Sequence, residues 1–369
     1  MQIAIIGGGV IGLNIALHLS ENTKHDIFLL EKEKFLGHHT STRNSEVIHA
    51  GFAYPPNSLK AKLCVEGNAL TYSLLTRLKV PFNKCGKWVI ACGEEDDKAL
   101  EEVLKNAAAC GVEQFKRSSV SALNKAEPEI QNVTSVINSA TSGIMDAAEY
   151  IRALEVALSH NNKVNVIYPC AVTGIDATGK KVETDRGPIE YDLLINSAGL
   201  WADDIYEMRH QGSAPQRLKY EIIPFKGEYY SWHKGRIKTM IYPVPHRFLS
   251  KDDERLVSSM GIHTHRNIAG ELLIGPSQVE CAKDKKDDYK IVTPPEKFVE
   301  ALSCFVKGVK VEDLEPAYAG NRPKLYKNGH PIGDFEIFKE GDVIHLLGIE
   351  SPALTAAPAI ARYVAKLVK

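Results

Sequence analysis

Gly7, Gly9 and Gly12 stand at the spacing Gly-x-Gly-x-x-Gly, directly after the apolar run Ile3-Ala4-Ile5-Ile6 and at the head of a periodic run that reaches Leu19. The chemistry open to such a turn is the binding of a pyrophosphate. The first glycine permits a tight turn out of a strand, the second lets backbone approach the anion, and the third lets helix and strand pack closely. The helix start supplies N–H donors and a positive dipole end. Glu31 closes a second apolar run, Ile27-Phe28-Leu29-Leu30, about 20 residues further on, where a carboxylate can accept both hydroxyls of a ribose. An acid rather than an arginine at that place argues against a 2′-phosphate, hence against NADP.

A second set of residues has types suited to acid–base and anion chemistry. Histidine ionises nearest to neutrality, so His49, after a polar loop, and His263, at the end of an alternating segment, are both candidates for a general base. Arg322, ahead of Pro323 in what reads as a short loop, can grip a carboxylate through two parallel N–H bonds. Lys226, Tyr242, Arg266 and His265 are further candidates for an anionic group. Each histidine can equally be a hydrogen-bonded core residue, and each cation a solvated one.

The elements that must position these groups alternate between two patterns. A βαβ unit opens the chain and is followed by the hydroxyl-rich and basic stretch Gly37-His38-His39-Thr40-Ser41-Thr42-Arg43-Asn44-Ser45. Leucines at helical spacing predict a helix over 58–78, closed by Pro81; a strand over 87–92 and a helix over 96–110 then begin a second domain near residue 82. Asp146 and Glu149 have capping-box spacing ahead of a helix reaching 160. A strand over 164–168, a hairpin of 172–175 and 181–184 around Asp185-Arg186-Gly187, and a buried strand ending in the small residues Ser197-Ala198-Gly199 return to the first domain. Period-two runs between 218 and 275, one of them over 256–263, predict an antiparallel sheet, and the tail from Ala317 rejoins the nucleotide domain. The expected architecture is α/β: a Rossmann-like domain made of 1–81, 146–216 and 317–369, and a mainly antiparallel substrate domain made of 82–145 and 217–316.

At 369 residues two domains are the prior. A net charge of −1 gives no reason to expect a nucleic acid partner. Seven scattered cysteines without a Cys-x-x-Cys read as free thiols rather than a metal site. No apolar stretch approaches the roughly 18 residues of a membrane span, so the chain reads as soluble and cytoplasmic. The last helix carries Arg362, Lys366 and Lys369, a possible peripheral membrane contact, although a solvated helix face is commoner.

Several segments together carry a family resemblance: Gly7 to Gly12, Thr42-Arg43-Asn44-Ser45-Glu46-Val47-Ile48-His49-Ala50-Gly51, Tyr54-Pro55-Pro56 with Ser58-Leu59-Lys60-Ala61-Lys62, Pro224-Phe225-Lys226-Gly227, Ile241-Tyr242-Pro243 and Gly348-Ile349-Glu350-Ser351-Pro352-Ala353-Leu354-Thr355. The chain resembles, over nearly its whole length, the FAD-dependent L-2-hydroxyglutarate dehydrogenases and oxidases within the glycine oxidase and D-amino-acid oxidase superfamily. Glu46 stands where the family usually has glycine, Lys226 replaces a common arginine, and Thr264-His265-Arg266 departs from the usual residues.

The resemblance implies FAD as cofactor, held by Gly7, Gly9, Gly12 and Glu31, by Arg43, Asn44 and Ser45 at its pyrophosphate and ribityl oxygens, by Val172 at adenine and by Gly199. It also implies Ser351, Leu354 and Thr355 at a helix start facing the N1–C2=O edge of the flavin, where N–H groups stabilise negative charge. It places His49 beside the flavin. The implied reaction is oxidation of a small L-2-hydroxy acid, most simply L-2-hydroxyglutarate to 2-oxoglutarate, by hydride transfer to flavin N5. His49 or His263 would be the base, Arg322 the carboxylate anchor, and Lys226, Tyr242 and Arg266 contacts for a second carboxylate. The electron acceptor would be oxygen or a quinone. An amino-acid or amine oxidase, or a flavin-binding electron-transfer or assembly subunit, are the alternatives.

Overall fold

The computed structural model describes residues 1–210, 218–245 and 261–368. A six-stranded sheet carries the opening motif, in the order Glu336–Glu340, Val343–Leu347, Leu193–Asn196, Gln2–Ile6, Asp26–Leu30, Val164–Ile167. All neighbours run parallel except the edge strand Glu336–Glu340. The strands read as continuous apolar runs because both faces are covered. The helices Val10–Asn22, Leu59–Leu78, Ala147–Ser159 and Ala353–Val368 bury a large cluster on one side, while a small sheet of Val172–Asp176, Lys181–Thr184 and Ile189–Glu190 and the helix Ala202–Arg209 close the other.

Close helix packing fixes the end of the molecule that matters for chemistry. A Cβ on Gly67 would stand 2.5 Å from the carbonyl oxygen of Thr355 and 2.8 Å from Cα of Ala356, so only glycine lets Leu59–Leu78 lie this near Ala353–Val368. Thr71 Oγ1 then donates to Thr355 O at 2.8 Å. The last helix turns its buried side onto these neighbours, and its Arg362 pairs with Glu66 at 3.6 Å. No helix among the described residues is long and apolar enough to cross a membrane.

The second large sheet has ten strands, with the long strands Tyr220–Trp232 and Leu314–Lys327 paired along their length. It is antiparallel apart from one parallel pair, Lys87–Ala91 with Met240–Pro243. A third, small sheet of Val47–Ile48, Phe82–Asn83 and Gly143–Met145 links the two halves.

Three expectations are corrected. Ala317 to Pro323 does not return to the nucleotide domain as a loop; it lies inside the strand Leu314–Lys327, with Pro323 opposite Pro224 in the register. The hairpin from Val172–Asp176 to Lys181–Thr184 turns at residues 177–180, where Asp176 Oδ1 accepts from the N–H groups of Thr178 and Gly179; Asp185-Arg186-Gly187 is the next turn, into Ile189–Glu190. Asp146 does cap its helix through Glu149 N at 2.9 Å, but Glu149 turns to Arg152 rather than back to the cap. The expected run over 256–263 lies outside the described residues up to 260; from His263 it is a strand, His263–Arg266.

Candidate active site

A cavity of about 470 Å³ runs between the two large sheets, from the opening glycine turn to the antiparallel platform. At its nucleotide end Gly7 has φ +106°, and a Cβ there would stand 2.5 Å from Ser197 O. Gly9 lines the cavity, whereas Gly12 packs against the carbonyl of Gly7 and holds the helix to the turn. Ser41 Oγ accepts from Val10 N at 2.9 Å, so the polar stretch 37–45 folds over the helix start. Glu31 lines the cavity while its two carboxylate oxygens accept from Gly8 N and Glu33 N, each at 2.8 Å. Burial raises its carboxyl, and these backbone donors pull it back. Each oxygen keeps a lone pair for a ribose hydroxyl. Val172 and Gly199 line the same end.

Arg43, Asn44 and Ser45 all line the middle of the cavity. The carbonyl of Arg43 sits where a Cβ of Gly320 would be, which docks the loop on the strand Leu314–Lys327. The Arg43 guanidinium lies 4.2 Å from the Tyr289 ring centroid, and its buried Nε has no hydrogen-bond partner. An orphaned guanidinium donor in a cavity that begins at a phosphate-binding turn fits a pyrophosphate. Asn44 instead spends its amide on Thr40 O, Ser41 O and Glu46 N, holding its own loop. Ser45 Oγ meets Tyr229 OH at 2.6 Å, and Tyr229 stacks on Tyr318 at 4.6 Å.

Glu46 has φ +57°, the left-handed region that explains why glycine is usual there. Its Oε1 accepts from Ala147 N at 3.0 Å, at the start of the helix Ala147–Ser159. Burial pushes its carboxyl up to about 7, against the Ala147 hydrogen bond.

At the other end of the cavity His49, His263, Tyr242 and Arg322 come together as lining residues. Thr355 Oγ1 accepts from His49 N at 2.9 Å, and the ring Nε2 of His49 is 3.5 Å from Ser351 Oγ, at the start of the last helix. The His263 ring stacks on Tyr242 at 3.7 Å, and its Nδ1 has no partner. Burial lowers the pKa of both histidines well below the ordinary value. Lys87 adds to this for both, and for His263 so do His265, His49 and Arg322. Both rings are therefore neutral at pH 7, the state that accepts a proton.

Beside them Lys60 and Glu350 also line the cavity. Glu350 Oε1 accepts from Lys60 Nζ at 2.8 Å and from Lys324 Nζ at 2.9 Å. Burial favours the neutral acid, yet the two ammonium groups outweigh it and hold the carboxyl down at about 2. The trio ties the helix Leu59–Leu78 and the strand of Arg322 to the segment before Ser351.

Ser351 and Leu354 line the cavity, but Thr355 does not; it is buried and serves the strand Val47–Ile48 through His49 N and Val47 O. Lys226 is turned away, donating to Lys290 O at 2.6 Å beside Asp288. Arg266 spends its guanidinium on the carbonyls of Ile237, Gly270 and Gly235. His265 is buried behind the wall with neither ring nitrogen bonded, and burial takes its pKa to about 3. Lys226, Arg266 and His265 are thus corrected as substrate contacts: none of them lines the cavity. Sequence reasoning missed Ser41, Lys60 with Glu350, and the aromatic floor of Tyr229. Ser41 was legible as a hydroxyl four residues past a glycine, but the others meet their partners only through the fold.

The family model described as FAD dependent oxidoreductase matches residues 2–367. A glycerol 3-phosphate dehydrogenase of Caloramator mitchellensis is 31% identical over 100% of this chain and 74% of its own. An L-2-hydroxyglutarate dehydrogenase of Indibacter alkaliphilus is 28% identical over 97% and 96% respectively. Among solved structures, the dithionite-reduced L-α-glycerophosphate oxidase of Mycoplasma pneumoniae with FAD bound superposes with a TM-score of 0.84 at 25% identity, covering 100% of this chain and 94% of the other.

Proposed function

The chain belongs to the DAO family of FAD-dependent oxidoreductases, and from that premise we propose that it oxidises the secondary alcohol of a small L-2-hydroxy acid, L-2-hydroxyglutarate to 2-oxoglutarate. The observation that carries this reading is the meeting of two neutral imidazoles and a guanidinium at one end of the cavity. When bound, FAD takes the two electrons of the oxidation. Glu31, Ser41 and Arg43 would hold its nucleotide half, and Ser351 and Leu354, at the start of Ala353–Val368, would meet its flavin half.

Arg322 anchors a substrate carboxylate. His49, a neutral imidazole that lines the cavity with its Nε2 3.5 Å from Ser351 Oγ, removes the hydroxyl proton. His263, stacked on Tyr242, lines the same end of the cavity. The Indibacter relative supports the substrate assignment, since the match covers nearly all of its length.

Oxidation of glycerol 3-phosphate is a second reading, favoured by the Caloramator relative and the Mycoplasma structure. Anaerobic addition of L-2-hydroxyglutarate, glycerol 3-phosphate, glycine and L-proline to the holoenzyme separates these readings. Bleaching of the flavin by L-2-hydroxyglutarate alone supports the first; bleaching by an amino acid alone rejects it.

A further inference from the structure

Lys87 carries a charge that no described group of the protein answers. It opens the strand Lys87–Ala91, is 0% exposed, and its Nζ has no hydrogen-bond partner. The Nζ lies 3.8 Å from the ring centroid of Tyr242 and 5.7 Å from that of Phe52. Tyr242 in turn stacks on His263. Tyr242, Phe52 and His263 line the cavity and Lys87 does not, so the ammonium stands one aromatic ring behind the wall of the substrate end.

The titratable groups around it are Cys64 from the helix Leu59–Leu78, Cys85 on its own segment, His49 after Val47–Ile48, and His263 and His265 from His263–Arg266. No carboxylate of the described residues is among them. Burial pushes the ammonium down to about 7, with Cys64 and Cys85 pulling the other way. An unpaired ammonium is among the costliest groups to bury, and hydrophobic side chains of similar volume fit such places better. A lysine kept there answers a negative charge that arrives with a ligand.

We propose that Lys87 is a specificity-determining cation for a substrate bearing two negative charges, acting across the Tyr242 ring on the anionic group that Arg322 does not hold. The inference rests on the reading of this end of the cavity as the site of an anionic hydroxy acid. A cation a single ring away in a low-dielectric interior changes the affinity of an anion by roughly tenfold or more. Lys87 acts by charge alone and touches no reacting atom, so it is a positioning residue. Binding of a dianion draws a proton from solvent onto Nζ, because the new negative charge favours the ammonium.

The test uses the holoenzyme with two probes that carry no hydroxyl to oxidise: glutarate, a dianion, and butyrate, a monoanion. Their Kd values are read from the perturbation of the flavin spectrum in wild type, Lys87→Met and Lys87→Arg. In wild type the glutarate Kd rises by roughly tenfold from about pH 6 to about pH 8.5 as Lys87 loses its proton, while that of butyrate does not. Lys87→Met weakens glutarate by about tenfold at pH 6 and flattens the pH profile. It leaves butyrate unchanged, and the melting temperature holds or rises because a buried charge is gone. Lys87→Arg retains glutarate binding and keeps it at high pH, since arginine does not deprotonate; this arm stands alone if the Met variant misfolds. Equal weakening of both probes with a lower melting temperature marks a structural lysine and overturns the inference, as does unchanged glutarate affinity in Lys87→Met. Failure of wild type to bind glutarate at all sinks the underlying reading and the inference together.

Discussion

A Cβ on Gly227 would stand 2.7 Å from Nη2 of Arg322, so the guanidinium lies in space that only a glycine leaves open. The two residues sit on adjacent strands, Gly227 opposite Gly320 and Arg322 opposite Phe225. The Arg322 head is therefore placed by its neighbour's lack of a side chain as much as by its own rotamer. Gly227→Ala is expected to displace the guanidinium and raise KM for L-2-hydroxyglutarate about tenfold, in keeping with an overpacking cost of roughly 1–3 kcal/mol. Arg322→Lys keeps the charge but loses the fork, and both KM and the rate of flavin reduction suffer. Stopped-flow reduction measures both; an unchanged KM in each variant means the carboxylate is held elsewhere.

The two histidines make separable predictions. His49→Asn is expected to slow flavin reduction by roughly 10²- to 10⁴-fold with substrate affinity nearly intact, because a base contributes in the proton-transfer transition state. His263→Asn loses the stack on Tyr242 and is expected to change KM more than the rate. Since burial keeps both rings neutral, the limiting reduction rate stays flat between about pH 6 and pH 8. If His263→Asn shows the larger rate loss, the base has been assigned to the wrong ring.

Much of the nucleotide end is readable from sequence because its determinants are local: a glycine turn, an apolar run and an acid within one βαβ unit. The substrate end is less so. Arg322 reads as a loop residue because Pro323 follows it, yet the strand tolerates Pro323, which faces Pro224 in the register. Lys60 and Glu350, 290 residues apart, become an ion pair only when two helices close on each other. Lys226 and Arg266 have the right chemistry for anions, but a strand's alternation decides the side on which each emerges, and a one-residue difference in register reverses it.

Glu46 gives a pH dependence of stability. Its pKa in the folded chain is raised to about 7 from an ordinary 4.5. Between those values the folded state holds a proton the unfolded state has lost, so stability falls as pH rises through this window. Glu46→Gln keeps an acceptor for Ala147 N and has no proton to lose. The melting temperature of wild type should decline from about pH 5 to pH 7 more steeply than that of the variant. Parallel curves would show that Glu46 is not the group responsible.

Glu31 couples cofactor affinity to the turn that carries it. Its carboxylate satisfies Gly8 N and Glu33 N as well as having lone pairs left for a ribose. Glu31→Ala therefore orphans two backbone donors in addition to losing the ribose contacts, and hydrogen bonds to a charged acceptor are worth about 1.5–3 kcal/mol. FAD affinity should fall by roughly ten- to a hundredfold in a titration of apoprotein. Glu31→Gln keeps one carbonyl acceptor and one lone-pair direction, and is expected to lie between wild type and Glu31→Ala. The ordering separates ribose binding from simple damage to the turn: FMN, the half of FAD that lacks the adenosine ribose, should bind all three proteins alike, and a loss for FMN equal to that for FAD would mean that the turn, not the ribose contact, had failed.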